Sequence, residues 1–249
     1  MGKISLIQNK LQRKLVKAIF DYHLIDEGDH ILIGLSGGKD SLAMTELLGE
    51  RMKIRHPFFS LTAAHISVEN IPYKADLEYL QDICNNYKIP FVHKAISFDA
   101  STDKRKSPCF LCSWNRRKSL FELAKELKCN KIALGHHRDD MIETLLINMM
   151  YQGTIGSMPP KLRMDKFDMT IIRPLALISE KELEEWRTIR NYRPQNKNCP
   201  YENNSQRYFI KQLLAQIEAT NPYVRQNLWH SMHNVETNYL PQKQDFSSQ

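Results

Sequence analysis

Apolar residues fall into two kinds of stretch along this chain: short, nearly continuous runs, and longer segments in which they recur every three or four positions. Such an alternation is typical of βαβ units, which place helices on both faces of a parallel sheet. The short runs predict five strands, at residues 30–35, 58–68, 91–96, 131–135 and 170–177. The periodic segments predict helices at residues 7–23, from 40 or 41, 74–87, 113–127, 139–150, 179–190, from 207 and from 222. We therefore expect an α/β fold with a doubly wound, mostly parallel five-stranded sheet and further helices at both termini.

Local signals refine these boundaries. Pro174 cannot donate a ladder hydrogen bond, so the last predicted strand lies at an edge or ends there. Ser179 and Glu182 have the spacing of a capping box, which predicts the start of a helix. The polar stretches 99–108, 153–160 and 191–206 are predicted loops, and residues 241–249 are predicted to form a tail.

Composition narrows the class of protein. The 249 residues are 42% hydrophobic and 25% charged, as in globular domains rather than collagen-like, disordered or disulfide-framework proteins. The apolar runs are shorter than the roughly 20 residues of a membrane span, and the basic N-terminal stretch lacks the apolar centre of a secretory signal. We therefore expect a cytoplasmic protein that does not enter a membrane. The net charge of +7 permits nucleic-acid binding, and an odd count of five cysteines favours reduced thiols, with metal binding as one use.

A glycine-rich segment joins the first predicted strand to the next helix. It reads S-G-G-K-D-S and comprises Ser36, Gly37, Gly38, Lys39, Asp40 and Ser41. Glycines let backbone N–H groups approach an anion, and the positive end of the following helix points at the same place. Lys39 can neutralise phosphate charge, the hydroxyls can donate to phosphate oxygens, and Asp40 can hold Mg²⁺. The spacing differs from that of a Walker A loop.

Three cysteines form a candidate metal site. Cys109 and Cys112 make a C-x-x-C at the entrance of a helix, and Cys199 lies in the polar stretch before the closing helices. Structural zinc usually takes four protein ligands, whereas a [4Fe–4S] cluster held by three thiolates leaves one iron open to a small ligand such as sulfide. A redox dithiol is an alternative for the C-x-x-C. Cys84 and Cys129 are predicted to be core thiols.

A second polar motif follows the fourth predicted strand. It reads G-H-H-R-D-D and runs from Gly135 to Asp140. Ligands of open parallel sheets bind beyond the carboxyl ends of the strands, so this motif and the glycine-rich segment are expected to face one pocket. His136 can contact phosphate or substrate, and Asp139 or Asp140 can bind Mg²⁺ or cap the following helix.

These strings resemble known families. S-G-G-K-D-S resembles the PP-loop of the N-type ATP pyrophosphatases, which have the fold of adenine nucleotide alpha hydrolases. Together the motifs resemble the tRNA 2-thiocytidine synthetases, the cytidine-thiolating branch of the PP-loop tRNA-thiolation enzymes. The further matches are C-F-L-C-S-W-N-R-R at Cys109, M-P-P-K-L at Met158, I-R-P-L-A at Ile172 and a Q-R pair ending at Arg207. In the expected order they span residues 36–207, about seven tenths of the chain.

The resemblance implies an ATP-dependent tRNA-cytidine sulfurtransferase. With ATP and Mg²⁺, such enzymes adenylate the C2 oxygen of cytidine 32 in the anticodon loop, and sulfur delivered through a [4Fe–4S] cluster replaces that oxygen. The implied partners are the tRNA anticodon stem-loop, a sulfur donor such as a cysteine desulfurase, and a second copy of the chain.

By the same resemblance, the candidate residues fall into three groups. ATP and Mg²⁺ are expected at Ser36, Gly37, Gly38, Lys39, Asp40, Ser41, Gly135, His136 and Asp139. The expected catalytic residues are Lys39, Asp40, Arg116 and Asp140. The expected cluster ligands are Cys109, Cys112 and Cys199. The implied division is an N-terminal helical segment (1–28), a PP-loop ATP pyrophosphatase domain (29–190), a C-terminal loop with helices that carries the third ligand (191–240), and a tail (241–249).

One departure from the family concerns the third ligand. Many family members have a second C-x-x-C there, whereas this chain has Asn196 at the earlier position and only Cys199 remains. Cys199 stands eight residues before Arg207, which is the ligand position of the family.

Basic residues flank the C-x-x-C. Arg116, Arg117 and Lys118 follow it and residues 104–106 precede it, so both groups are candidates for contacts with tRNA phosphates or for a solvated basic surface. Arg116 also lies one helical turn past Cys112, where it can face a cluster.

Other functions remain open at this point. They are a PP-loop thiolase for tRNA uridine, tRNA-lysidine synthetase, a PP-loop adenylating enzyme with a structural metal site, and a non-catalytic tRNA- or metal-binding protein. The chain lacks the terminal cysteine pairs that often accompany uridine thiolases, and lysidine synthetase does not need the three cysteines. Intact Lys39, Asp40, Asp139 and Asp140 argue against a catalytically inactive scaffold.

Overall fold

The computed structural model describes residues 3–54, 56–69, 75–98, 108–193 and 206–241. In these ranges the α-helices are α1 (Lys3–Asp21), α2 (Lys39–Met52), α3 (Leu77–Asn85), α4 (Pro108–Glu126), α5 (Arg138–Ile147), α6 (Glu180–Arg190), α7 (Gln206–Thr220) and α8 (Val224–Ser231). The strands are β1 (Asp29–Gly34), β2 (Phe59–Val68), β3 (Phe91–Ile96), β4 (Lys131–Ala133), β5 (Lys161–Met164) and β6 (Met169–Ile172). A π-helical turn (Asn148–Gln152) continues α5.

The strands form one sheet in the order β3–β2–β1–β4–β6–β5, and all neighbours are parallel except β5 and β6. Because β1 and β4 are adjacent, the loops that follow them leave the sheet side by side at its carboxyl edge. The predicted α/β fold with a mostly parallel sheet is confirmed.

The predicted number of five strands is wrong, because β5 is a sixth. It pairs antiparallel with β6, from Lys161 opposite Ile172 to Met164 opposite Met169. Its four residues alternate two basic and two apolar side chains, a pattern too short to indicate a strand without its partner. The strand predicted at 170–177 ends at Ile172, before Pro174, so the proline marks a strand end and not an edge.

Two apolar clusters cover the two faces of the sheet. One joins the sheet to α1, α2, α3 and α6, with Leu15, Leu47 and Trp186 among its buried members. The other lies between the sheet and α4, where Leu120 and Phe121 pack on Leu32 and Ile132. The helix α4 begins at Pro108, five residues before its predicted start at 113, because proline suits the first turn of a helix. The C-x-x-C therefore lies inside the helix.

The helix α2, which follows the glycine-rich segment, is anchored to α6 by a buried carboxylate. Glu46 is 2% exposed. It accepts hydrogen bonds from the Tyr192 hydroxyl at 2.6 Å, from Nη2 of Arg190 at 2.9 Å and from Nε1 of Trp186 at 3.2 Å. Burial and the neighbouring Glu46 charge raise the pKa of Tyr192. A charge with three donors is well compensated, so the position of α2 is firmly held.

A second carboxylate joins α6 to α1. Glu182 accepts from the backbone N–H of Ser179 at 2.9 Å, while the Ser179 hydroxyl accepts from the N–H of Glu182, so the predicted capping box is confirmed. The ammonium groups of Lys14 and Lys10 lie 2.6 and 2.9 Å from its Oε1. Burial alone would raise the pKa of Glu182, but the hydrogen bonds from Lys14, Ser179 and Lys10 outweigh it and lower the pKa to about 2.

The chain divides into two compact units. The first comprises residues 1–141 and 158–205 and holds the sheet; the second comprises 142–157 and 206–249. Within the second unit, Glu143 is fully buried, with Nε of Arg207 at 3.6 Å and Nζ of Lys211 at 3.9 Å. This gives Arg207, the last residue of the Q-R motif, a structural role. The domain division suggested by the family resemblance stays a prediction.

No helix in the described ranges is both long and apolar enough to span a bilayer.

Candidate functional site

The glycine-rich segment turns between β1 and α2. Gly37 has a φ of 83°, in the left-handed region that favours glycine. The Ser36 hydroxyl accepts from the N–H of Gly38 at 3.3 Å and donates to the Ser41 hydroxyl, which donates to the Gly38 carbonyl at 2.9 Å. Gly38 caps α2 without any side-chain hydrogen bond to the first N–H groups. These N–H groups and the positive helix end suit an anion, as the sequence predicts.

Gly135 brings the second motif against this turn. A Cβ atom at Gly135 would lie 3.1 Å from the backbone N of Ser41 and 3.2 Å from the carbonyl carbon of Asp40. Both are backbone atoms that cannot rotate away, so a side chain at Gly135 would push the two segments apart by a few tenths of an ångström. The expectation that the two motifs face one place at the carboxyl edge is thereby confirmed.

Two carboxylates surround the lysine of the turn. Nζ of Lys39 lies 3.3 Å from Oδ1 of Asp40 and 3.6 Å from Oε1 of Glu180, the first residue of α6. Oδ1 of Asp40 is buried and accepts no hydrogen bond from the described residues. Mg²⁺ in phosphate sites is commonly held by one or two carboxylates together with phosphates and water, and this pair fits that role. Among the described residues, no group of three or more His, Cys, Asp or Glu side chains forms a protein-only metal site.

Asp139 and Asp140 cap helices. Asp139 is 2% exposed, and its Oδ2 accepts from the backbone N–H of Glu180 at 2.7 Å, so it holds the start of α6. Oδ2 of Asp140 accepts from the N–H of His137 at 3.0 Å and caps its own helix, α5. Capping was one of the two roles that the sequence left open. Through Asp139 the second motif also places Glu180 beside Lys39.

A buried arginine contacts His136. Arg173 follows β6 and is 5% exposed. Its Nε donates to Nδ1 of His136 at 3.4 Å, and its Nη1 donates to the Pro159 carbonyl at 2.5 Å. Burial and the nearby charge of Arg117 lower the pKa of Arg173 to about 10, against the opposing effect of Asp140.

Sequence reasoning assigned no role to Arg173, Glu180 or His65. The I-R-P-L-A string contains Arg173, and this was the available signal; Glu180 and His65 had none. His65 is 2% exposed, its Nδ1 lies 2.8 Å from the Leu35 carbonyl, and its Nε2 has no hydrogen bond to the described residues. Burial lowers the pKa of His65, and the hydrogen bond that Nδ1 makes to the Leu35 carbonyl opposes this effect.

The cysteine-bearing helix reaches the same edge of the sheet. Leu120 of α4 lies against the end of β1, since a Cβ at Gly34, the last residue of β1, would be 3.2 Å from the Leu120 side chain. The helix leads into β4, so it runs opposite to the strands and its N-terminal turns extend past their carboxyl ends. Cys112 precedes Leu120 by eight residues, or about 12 Å of helix. Cys112 therefore lies in the N-terminal part of α4, beyond the carboxyl end of β1.

The remaining predicted residues are placed as follows. Cys112 and Arg116 are partly buried. The side chain of Cys109 and all of Cys199 lie outside the described residues, so the assignment of the third ligand stays a prediction. Cys84 and Cys129 are buried, and burial raises their pKa to about 12 and about 11, as expected of core thiols.

The chain is similar in sequence to a known family model and to curated proteins. A family model described as a PP-loop domain matches residues 7–217. The tRNA-cytidine(32) 2-sulfurtransferase of Pseudomonas paraeruginosa is 35% identical over an alignment that covers all of this chain and 94% of the relative. The protein of the same name from Alcanivorax borkumensis is 36% identical, over 96% of this chain and 85% of the relative.

A solved structure shares the fold. It is the U34-tRNA thiolase NcsA from Methanococcus maripaludis with its [4Fe-4S] cluster, at a TM-score of 0.74 and 24% identity. The alignment covers 97% of this chain and 82% of that one. The resemblance predicted from the motifs is confirmed.

Proposed function

Since the chain belongs to the PP-loop family, and within it to the family of the tRNA-cytidine(32) 2-sulfurtransferases, we propose that it is an ATP-dependent tRNA-cytidine sulfurtransferase. It adenylates the C2 oxygen of cytidine 32 and exchanges that oxygen for sulfur, with AMP and pyrophosphate as products. The observation that carries the proposal is the approach of Gly135 to Ser41, which joins the phosphate-binding turn to the second motif.

The residues at the carboxyl edge perform the nucleotide half of the reaction. The N–H groups at the start of α2 and the ammonium of Lys39 bind the ATP phosphates and stabilise the charge that develops as pyrophosphate leaves. Asp40 and Glu180 are the carboxylates that would hold Mg²⁺ on those phosphates. Asp139 keeps Glu180 in place through the backbone of α6.

The thiolates on α4 perform the sulfur half. Adenylation turns a poor leaving group, the C2 oxygen, into a good one. Cys109, Cys112 and Cys199 would hold a [4Fe–4S] cluster, which, when bound, offers an open iron that can carry sulfide. Arg116, one turn beyond Cys112, is the residue of α4 best placed to neutralise negative charge there.

The proposal also covers the RNA substrate, the sulfur donor, the cellular compartment and the oligomeric state. The substrate is the anticodon stem-loop of tRNA, the sulfur comes from a donor such as a cysteine desulfurase, and the enzyme works in the cytoplasm as a homodimer. The excess of basic residues is consistent with an RNA substrate.

The proposal is tested with protein purified without oxygen and supplied with tRNA, ATP, Mg²⁺ and sulfide. We expect iron and acid-labile sulfide in the protein, and 2-thiocytidine on mass analysis of the digested tRNA. Thiolated uridine instead would identify a uridine thiolase. Zinc without sulfide would indicate a structural metal site and an adenylating enzyme of another kind.

Variants separate the two halves of the reaction. We expect Cys112→Ala and Cys199→Ala to abolish thiolation while ATP still binds. Cys129→Ala is the matched control, because that thiol is 4% exposed and packs in the core against α4. Full thiolation by either ligand variant would overturn the cluster assignment.

A further inference from the structure

Arg173 carries a charge whose compensation within the protein is incomplete. Its backbone N–H donates to the Pro160 carbonyl at 2.8 Å, and its side chain contacts the Pro159 carbonyl and His136. A carbonyl oxygen and an imidazole nitrogen that accept hydrogen bonds orient a guanidinium without neutralising it. Among the described residues Arg173 has no ion pair and its Nη2 has no hydrogen bond. The Asp140 charge is close enough to raise the pKa of Arg173, but its effect is smaller than those of burial and Arg117. A buried charge of this kind is stabilised when a further anion accompanies it.

A second arginine lies near the first. Arg117 belongs to α4, is exposed, and forms neither a hydrogen bond nor an ion pair with the described residues. Its charge is close enough to lower the pKa of Arg173, after the larger effect of burial. Two like charges at the mouth of a site repel each other in the free protein, and a bound anion relieves the repulsion.

The surroundings indicate which anion fits. The proposed function already assigns the ATP phosphates to the turn before α2 and to Lys39. Arg173 is instead attached to His136 and to the loop before β5, and Arg117 stands at the solvent side on the helix that carries the cysteines. An RNA strand entering from solvent presents a phosphodiester there, and two guanidinium groups match its oxygens well.

We propose that Arg117 and Arg173 together bind one backbone phosphate of the RNA next to the target nucleoside, and thereby hold that nucleoside over the phosphate-binding turn. This inference rests on the proposed function, because it takes RNA as the substrate. In this arrangement the buried Arg173 contacts the side of the phosphate that faces the protein, and the exposed Arg117 contacts the side that faces solvent. The contacts of Arg173 with Pro159 and His136 fix the position of the phosphate relative to the second motif.

The test compares Arg117→Gln, Arg173→Gln and the double variant with the unmodified protein. A synthetic anticodon stem-loop RNA is titrated between about 50 and 200 mM salt, and a non-hydrolysable ATP analogue is titrated separately. Arg187→Gln is the matched control, since Arg187 lies two turns into α6 and pairs with Glu184 at 2.5 Å.

We expect each single variant to weaken RNA binding about tenfold and to reduce the salt slope by about 0.7. Affinity for the ATP analogue should stay within twofold. Because both arginines hold one phosphate, the double variant should be little weaker than either single one. The control should match the unmodified protein in all three measurements.

Two results would overturn the inference. A loss of affinity for the ATP analogue with an unchanged RNA salt slope would assign the arginines to the ATP phosphates. Unchanged binding of both ligands by Arg117→Gln would show that no anion lies between the arginines, and this variant remains decisive if Arg173→Gln fails to fold. If the unmodified protein makes no 2-thiocytidine but its RNA binding still depends on both arginines, the proposed function fails and the phosphate site stands.

Discussion

Glu46 and Asp40 are carboxylates on the same helix, six residues apart, and their surroundings differ. Glu46 has three donors within 3.2 Å, supplied by α6 and the residues after it. Asp40 has a buried oxygen that accepts no hydrogen bond from the described residues, and its ammonium neighbour Lys39 lies 3.3 Å away. The difference shows where the fold compensates charge internally and where it leaves charge for a ligand to compensate.

The same contrast holds for the cations. Lys14 is bound tightly to Glu182, whereas the side chain of Arg173 at the carboxyl edge donates only to uncharged acceptors among the described residues, with the Asp140 charge nearby but not in an ion pair. On the α1–α2–α6 side of the sheet the charges of Glu46 and Glu182 are thus compensated within the protein, whereas Asp40 and Arg173 at the carboxyl edge are compensated less completely. Loss of a group should therefore cost stability on the first side and activity on the second.

The largest effect is expected at Lys39. Lys39→Ala should lower ATP-dependent pyrophosphate formation by about 10³-fold, because an ammonium that stabilises transition-state charge is lost. The unfolding midpoint should barely change. Lys53→Ala, at the other end of α2 and 59% exposed, is the control for both measurements. A Lys39 variant that loses stability but keeps its activity would show that Lys39 supports the fold and does not bind the nucleotide.

Glu46→Ala should lower the stability of the protein more than its activity. It leaves the Trp186 and Tyr192 donors buried without an acceptor, so we expect the free energy of unfolding to fall by about 3 kcal/mol. Urea unfolding followed by circular dichroism measures this. Glu50→Ala, one turn further along α2, removes a carboxylate whose ion pair among the described residues is with exposed Lys53, so it should change the free energy of unfolding by less than about 0.5 kcal/mol. Equal losses in the two variants would contradict the anchoring role of Glu46.

Glu182 predicts a dependence of stability on pH. Its folded pKa of about 2 lies below the ordinary 4.5, so its stabilisation is complete above pH 4.5 and is lost as the pH falls towards 2. Between pH 5 and 3 the loss should be about 2 kcal/mol. Glu182→Gln should remove this part of the pH dependence. An unchanged acid limb in the variant would show that Glu182 is not the responsible group.

The smallest effect is expected at Gly135. In Gly135→Ala the methyl group would press on the backbone at Ser41, separate the two motifs slightly, and cost about 1–2 kcal/mol of stability. Affinity for ATP should fall about tenfold. Gly156→Ala is the matched control, because a Cβ there meets open space. Normal ATP affinity in Gly135→Ala would mean that the two motifs do not act as one site.

Much of the fold could be predicted from local pattern. The helix start at Ser179 and the turn with Gly37 were readable because capping boxes and tight turns are short-range features. The strand β5 was not readable, since its pairing with β6 is what makes it a strand. The early start of α4 was also missed, although Pro108 was a usable signal.

In the candidate site, too, short-range motifs could be predicted from the sequence and long-range contacts could not. The glycine-rich segment, the second motif and the C-x-x-C were visible as strings, and the parallel sheet predicted that the first two would meet. Arg173 and Glu180 were not assigned, because their roles arise from residues 37 and 141 positions away, His136 and Lys39. The capping role of Asp139 could be foreseen only as one of two possibilities.

By itself, then, the sequence determined the α/β class, the phosphate-binding turn, the cysteine pair and the family. These follow from hydrophobic periodicity and from short motifs whose chemistry depends on neighbouring residues. Only the tertiary structure decided which charges are compensated and which are left open, because that depends on side chains from distant strands and helices meeting at one edge. Glu46 has three donors from α6 and the residue Tyr192 after it, whereas Arg173 at the carboxyl edge forms no ion pair with the described residues. This difference separates the residues that stabilise the fold from those available to a substrate.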